Sequence, residues 1–228
     1  MKIIEKDIDL MMADIQREVE YARSITGINQ FRTAVLNAMQ SIPRHEFVPE
    51  GLRDLAYRNG PLSIGHGQTI SQPYIVALMT DLLDPEGTDI MLEVGTGSGY
   101  QSAVLAQVVK QVYSVEIIAE LAREARLKLE ALNIHNVEIK SGDGYYGWPE
   151  HGPFDGIIVT AAAPFIPEPL IKQLKIGAKM IIPVGRPFLH QELLLVEKTA
   201  EDQTDVKDVL GVAFVPLTGQ HEQQQESN

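Results

Sequence analysis

The run Ile90-Met91-Leu92-Glu93-Val94-Gly95-Thr96-Gly97-Ser98-Gly99-Tyr100 decides more about this chain's architecture than any other stretch. Ile90, Leu92 and Val94 make a short apolar β run, three alternating glycines follow, and residues 98–109 carry Ala103, Val104, Ala106 and Val108 at helix-compatible spacing. The whole reads as a strand passing through a glycine turn into a helix. Glycine lets backbone approach a bound molecule closely, and a helix start presents unpaired N–H groups. Such a turn suits a nucleotide-like cofactor; its plainest alternative is a tight corner between strand and helix.

Spacing narrows the choice. The dinucleotide fingerprint G-x-G-x-x-G would need its third glycine at position 100, where Tyr100 stands. Glu93, inside the strand, would repel a pyrophosphate and attract a cationic amino group. The pattern E-x-G-x-G-x-G is that of S-adenosyl-L-methionine-dependent methyltransferases.

Around this unit the chain alternates. Strands are expected at 112–116, 137–140, 154–159, 180–185, 192–196 and 209–214, with helices at 118–132 and 167–174 and an acidic connector at 201–208. Together with 90–94 that makes an α/β fold, a doubly wound, mostly parallel seven-stranded sheet of Rossmann-like type with N-terminal helices. Ligands of such sheets sit outside the strands' carboxyl ends, where Glu93, Gly95, Glu116, Asp143 and Thr160 all fall. Glu116 stands about 20 residues after the turn, where an acid reaches ribose hydroxyls, and Asp143 is placed to accept from an adenine amino group. Taken singly, each is equally a strand-end or turn acid.

Ahead of the sheet, Ile8, Met11, Met12, Ile15 and Val19 predict an amphipathic helix over 8–23, and Phe31, Val35, Leu36 and Met39 a second. Residues 60–73, rich in Gly, Pro and small hydroxyls, read as a loop. Local chemistry makes Ser71 or Gln72 the cap of the following helix; the alternative is a cofactor-covering loop with inward hydroxyls. No G-x-S-x-G elbow surrounds Ser71, so a hydrolase triad with His66 is unsupported. Asn59-Gly60, beside that loop, is an isomerisation-prone step. The organisation expected is a helical extension (1–28), a catalytic domain (29–219) and a polar tail (220–228).

Composition enters as exclusion. With no cysteine, disulfides, thiolate nucleophiles and thiolate metal sites are ruled out, and no metal centre is expected. The net charge of −12 disfavours a nucleic-acid partner, whose binding rests on Lys and Arg. No run of 18 apolar residues or signal-like segment is visible, so a cytoplasmic protein is expected, without membrane contact.

Specific motifs then carry a resemblance: Pro43-Arg44-His45-Glu46-Phe47-Val48, Gly67-Gln68-Thr69-Ile70-Ser71-Gln72-Pro73, the glycine turn, Gly142-Asp143-Gly144, Val159-Thr160-Ala161-Ala162, Ile182-Pro183-Val184-Gly185 and Phe214-Val215-Pro216-Leu217-Thr218. Over roughly residues 30–218 the chain resembles the protein-L-isoaspartate O-methyltransferase family, enzymes that repair isomerised aspartyl residues. The resemblance implies methyl transfer from S-adenosyl-L-methionine to the free α-carboxylate of L-isoaspartyl and D-aspartyl residues, leaving S-adenosyl-L-homocysteine. It implies Ser71 as the active-site serine. It implies cofactor contacts from Gln68, Thr69, Ile70, Ser71, Glu93, Val94, Gly95, Thr96, Gly97, Glu116, Ile117, Asp143, Gly144 and Thr218, with Gln223 a weaker match. Its partners are damaged proteins and peptides; a monomer is the preferred state. The chain departs from the family pattern at Ala178, Ile117 and Ala213, the last of which bears on substrate contacts. A nucleic-acid base methyltransferase would carry D/N-P-P-Y/F where Thr160-Ala161-Ala162-Ala163 stands, and an NAD oxidoreductase would need glycine near position 100.

Overall fold

The computed structural model describes residues 2–186 and 189–219; the polar tail expected over 220–228, with Gln223, lies outside these. Two helices lead, α1 (Lys2–Thr26) and α2 (Thr33–Ser41). Helix α1 outruns its apolar stripe because nothing breaks it before Gly27, whose φ of +74° ends the helix as its N–H donates to the Arg23 carbonyl. Met11, Ile15 and Val19 are buried in one core with Val35 and Met39 of α2 and Val76 and Met79 of α3 (Pro73–Leu82).

Residues 60–73 are more ordered than a loop. Strands β1 (Leu62–Gly65) and β2 (Gln68–Ile70) pair antiparallel around Gly65-His66-Gly67, whose φ values are +88°, +54° and +71°. Two glycines make that left-handed tip accessible, and His66 is exposed on it. Neither Ser71 nor Gln72 caps α3 with its side chain. The cap comes from a distance: the Asn59 Oδ1 accepts from the Tyr74 N–H at 3.1 Å.

The sheet contains β3 (Ile90–Val94), β4 (Gln111–Glu116), β5 (Val137–Ser141), β6 (Phe154–Val159), β7 (Leu174–Gly185), β8 (Gln191–Ala200) and β9 (Gln203–Val212) in the order β5-β4-β3-β6-β7-β8-β9. The pairs from β5 to β7 are parallel, and β8 and β9 add antiparallel. Helices α4 (Tyr100–Ala106), α5 (Ala119–Ala131) and α6 (Glu168–Lys172) lie between strands in the chain. Alternate residues feed opposite cores: Ile158 joins one, Ile157 and Val159 the other. The chain winds outward from β3 through β4 to β5, then returns to β6 on the far side of β3. The carboxyl ends of β3 and β6 are therefore the switch point, where an open α/β sheet forms its crevice.

Two segments between the expected elements are strand. Lys175-Ile176-Gly177, between the helix expected at 167–174 and the strand expected at 180–185, lies in β7, where pairing jumps from Phe154↔Leu174 to Gly156↔Lys179 and Gly177 (φ +83°) sits in the bulge. The acidic segment 201–208 is mostly the first half of β9, and residues 203–208 are all exposed. Among the described residues strand β9 pairs only with β8, and charge along such an edge hinders pairing with other chains.

Candidate active site

The glycine turn is fastened to both neighbouring strands. Gly95, at φ +95°, donates its N–H to the Val115 carbonyl of β4 at 2.8 Å, and its own carbonyl accepts from the Thr160 hydroxyl at the end of β6 at 2.5 Å. A Cβ on Gly95 would run into that hydroxyl. Glu116 closes β4 with both carboxylate oxygens engaged: Oε2 accepts from the Gly97 N–H at 2.7 Å and Oε1 from the Ile118 N–H at 2.9 Å. A carboxylate has about four acceptor positions, so two remain for hydroxyls of a ligand.

Gln68, Thr69, Ile70, Ser71, Val94, Gly95, Thr96, Gly97, Glu116, Ile117, Gly144 and Thr218 line one cavity. The last segment of the chain reaches it because the Ala162 N–H donates to the Val215 carbonyl and the Leu217 N–H to the Ala162 carbonyl, each at 2.8 Å. A Cβ on Gly144 would collide with the Val94 side chain, so the cavity's wall there is bare backbone.

Two expected contacts stand apart from the lining. Glu93 is fully buried, bonded to the hydroxyls of Ser102 on α4 and of Ser114 on β4, the latter at 2.7 Å. Its Oε1 has no partner among the described residues. Burial pushes its pKa up to about 7; the two serine bonds pull downward and Glu116 pushes further up. Asp143 caps the short turn Gly144–Tyr146 by accepting from the Tyr145 N–H at 3.0 Å, and it packs against Gly219.

One functional group escaped the sequence reading. Arg44 is wholly buried, donating from Nη2 to the Ser71 carbonyl and from Nε to the Ala56 carbonyl, each at 2.7 Å. Its guanidinium lies 4.7 Å from the centroid of the Tyr100 ring, and burial lowers its pKa. Arg44 thus ties the backbone of Ser71 to the first residue of α4. In the sequence Arg44 stood only as one member of the motif Pro43-Arg44-His45-Glu46-Phe47-Val48, beside other polar residues, and charge alone does not announce burial.

Thr69, Ser71, Thr160 and Val215 also line a second, wider groove, so Ser71 stands where the two cavities meet. One cavity offers a carboxylate and bare glycine backbone suited to a nucleoside with a charged tail. The other is open enough for a chain. Nothing in that arrangement requires a nucleophile from the protein; it suits transfer of a group between two bound molecules.

Comparison with known proteins agrees. Residues 20–222 match the family model described as protein-L-isoaspartate(D-aspartate) O-methyltransferase. A protein-L-isoaspartate O-methyltransferase 2 of Nitrosococcus oceani is 57% identical over 212 residues, covering 93% of this chain and 96% of the relative. Its namesake from Polaromonas sp. is 54% identical over 210 residues, covering 92% and 100%. Among solved structures, one protein-L-isoaspartate O-methyltransferase superposes with TM-score 0.81 at 27% identity, covering 93% of this chain and 66% of its own length. A Plasmodium falciparum β-aspartate methyltransferase in complex with S-adenosyl-L-homocysteine gives 0.72 at 26% identity, covering 90% and 97%.

Proposed function

This chain belongs to the protein-L-isoaspartate(D-aspartate) O-methyltransferase family, and from that premise we propose how its own residues divide the work. The enzyme is a repair methyltransferase: it uses S-adenosyl-L-methionine to methylate the free α-carboxylate of isoaspartyl residues. When bound, S-adenosyl-L-methionine supplies a methyl group on a sulfonium, which a carboxylate oxygen accepts as the carbon–sulfur electron pair returns to sulfur.

The glycine turn, Glu116 and Gly144 hold the donor in this reading. The bare backbone at Gly95 and Gly144 supports it, and so does the unused acceptor capacity of Glu116. Gln68 to Ser71 and Thr218 close over it. Ser71 donates its hydroxyl to the acceptor carboxylate and orients it. An α-carboxylate has an ordinary pKa near about 3.5, so the acceptor is already ionised at neutral pH and no general base is needed. What the protein supplies is alignment, which in favourable cases is worth roughly 7–11 kcal/mol. Charge is neutralised as the methyl moves, so excluding water from the cavity favours transfer. The ester formed this way cyclises to a succinimide without further help, and hydrolysis returns part of it to normal aspartyl.

The observation that carries the reading is the position of Ser71, on the wall of both the donor cavity and the wider groove. The proposal includes a cytoplasmic monomer acting on damaged polypeptides and not on nucleic acid, the last supported by the net charge of −12. Among the described residues no helix is long and apolar enough to cross a membrane. The test is methyl transfer to an isoaspartyl peptide beside its normal-aspartyl twin. Transfer to the first alone is expected; equal labelling of both would overturn the assignment.

A further inference from the structure

The wider groove has a wall built by the N-terminal helix. Helix α1, which runs from Lys2 to Thr26, sends Glu18, Tyr21, Ala22 and Ile25 into that groove. These positions fall at i, i+3, i+4 and i+7, one stripe along the helix. Helix α1 is not loosely attached, because Met11, Ile15 and Val19 are buried in the main core. The stripe that faces the groove is therefore held in place by packing along the adjoining face, to which Ala22 also belongs.

What that stripe presents is unusual for solvent. Tyr21 is 84% exposed and Ile25 63%, and Leu189, from the β7–β8 connection, is 69% exposed on the same groove. Single exposed apolar residues need no explanation, but three large ones around one concavity of about 650 Å³ mark a surface that something covers. Val212 and Phe214 extend the apolar lining along the far side. The groove shares Thr69, Ser71, Thr160 and Val215 with the donor cavity. That shared wall points to the polypeptide whose carboxylate Ser71 orients as the occupant.

We propose that Tyr21 and Ile25 of α1, together with Leu189, form a specificity wall that takes apolar side chains flanking the isoaspartyl residue of the substrate. This rests on the methyl-transfer reading above. Glu18, half-buried and 3.5 Å from the Asn59 side-chain amide, adds a carboxylate to the same wall, which disfavours acidic flanks. Damaged sites in exposed apolar segments, the kind a misfolded protein displays, would then be methylated ahead of sites in polar tails.

Two isoaspartyl peptides separate the possibilities, identical except for leucine and phenylalanine flanks in one and glycine and serine in the other. They are assayed with the full-length enzyme and with the double variant Tyr21→Ser/Ile25→Ser. Both side chains are exposed, so the variant's fold is expected to persist, and thermal melting checks this. Wild-type enzyme should favour the apolar peptide in kcat/KM by about tenfold, and the variant should erase that preference by losing activity on the apolar peptide alone. S-adenosyl-L-homocysteine affinity and kcat/KM for the polar peptide should stay within about twofold. A preference that survives in the variant, or an equal loss on both peptides, overturns the wall while leaving the enzyme's activity standing. Failure of wild-type enzyme to methylate either peptide overturns the functional reading, and the wall with it.

Discussion

Glu93→Gln is the substitution whose effect follows most directly from the geometry. The carboxyl is fully buried and its pKa is raised from 4.5 to about 7, chiefly by burial. The folded state therefore holds this proton more tightly than the unfolded chain. The resulting stability is present in full below pH 4.5, declines as pH rises, and is lost once pH passes about 7. Integrated over that window, wild-type protein should lose about 2–3 kcal/mol relative to Glu93→Gln between pH 5 and pH 8, most of it by pH 7. Glutamine keeps the shape and an acceptor for Ser102 and Ser114 but does not titrate. Urea unfolding of both proteins at the two pH values measures the difference, and ionisations that do not interact with Glu93 cancel in it. A stability difference that stays constant across pH 5–8 would refute a buried, titrating Glu93. The same variant tests its role in binding. Because the carboxyl lies off the cavity wall, S-adenosyl-L-homocysteine affinity should change by less than about threefold, whereas a direct ammonium contact would cost about 1.5–3 kcal/mol, tenfold or more.

Ser71→Ala should lower kcat/KM for an isoaspartyl peptide by about 10- to 100-fold, the worth of a hydrogen bond to a charged group, with S-adenosyl-L-homocysteine affinity nearly unchanged. Equal losses in calorimetric affinity and in turnover would make the hydroxyl a donor contact only. Gly144→Ala drives a methyl into the Val94 side chain, and overpacking of that kind costs about 1–3 kcal/mol, so calorimetry should show donor affinity falling about tenfold or more. Asn59-Gly60 should isomerise more slowly in the native protein than in urea, since the Asn59 carbonyl is held by the Tyr74 N–H. Peptide mapping of aged samples reads this, and equal rates would show that the cap does not restrain it.

The parts of this molecule that were legible beforehand are those that local chemistry specifies. The glycines at 95, 97 and 99 require a conformation that other residues avoid, with φ of +95°, +53° and +88°, and the apolar runs from 90 to 214 repeat at strand length. The seven-stranded sheet and its crevice follow from those two signals. The hidden parts depend on neighbours. Strands β1 and β2, four and three residues long, are too short to display a period, and only their pairing makes them strands. The charges that made 201–208 read as a connector are what an edge strand carries. Arg44 became a positioning group only when Tyr100, Ala56 and Ser71 converged on it.

Glu93 is the instructive case, because the missing information was present in the strand. Side chains along β3 alternate, so Glu93 shares a face with Met91 and opposes Leu92 and Val94. Met91 is buried in the core that includes α4, while Val94 lines the donor cavity. Parity alone thus points the acid toward Ser102 of α4, away from the cavity. In that position the carboxyl links the strand before the turn to the helix after it. Ser114 extends the link to β4, with its hydroxyl within 2.6 Å of the Thr96 hydroxyl. The acid of this motif then acts on the cavity at one remove. It fixes the two elements between which the three glycines are stretched, and the turn, not the carboxylate, lines the cavity.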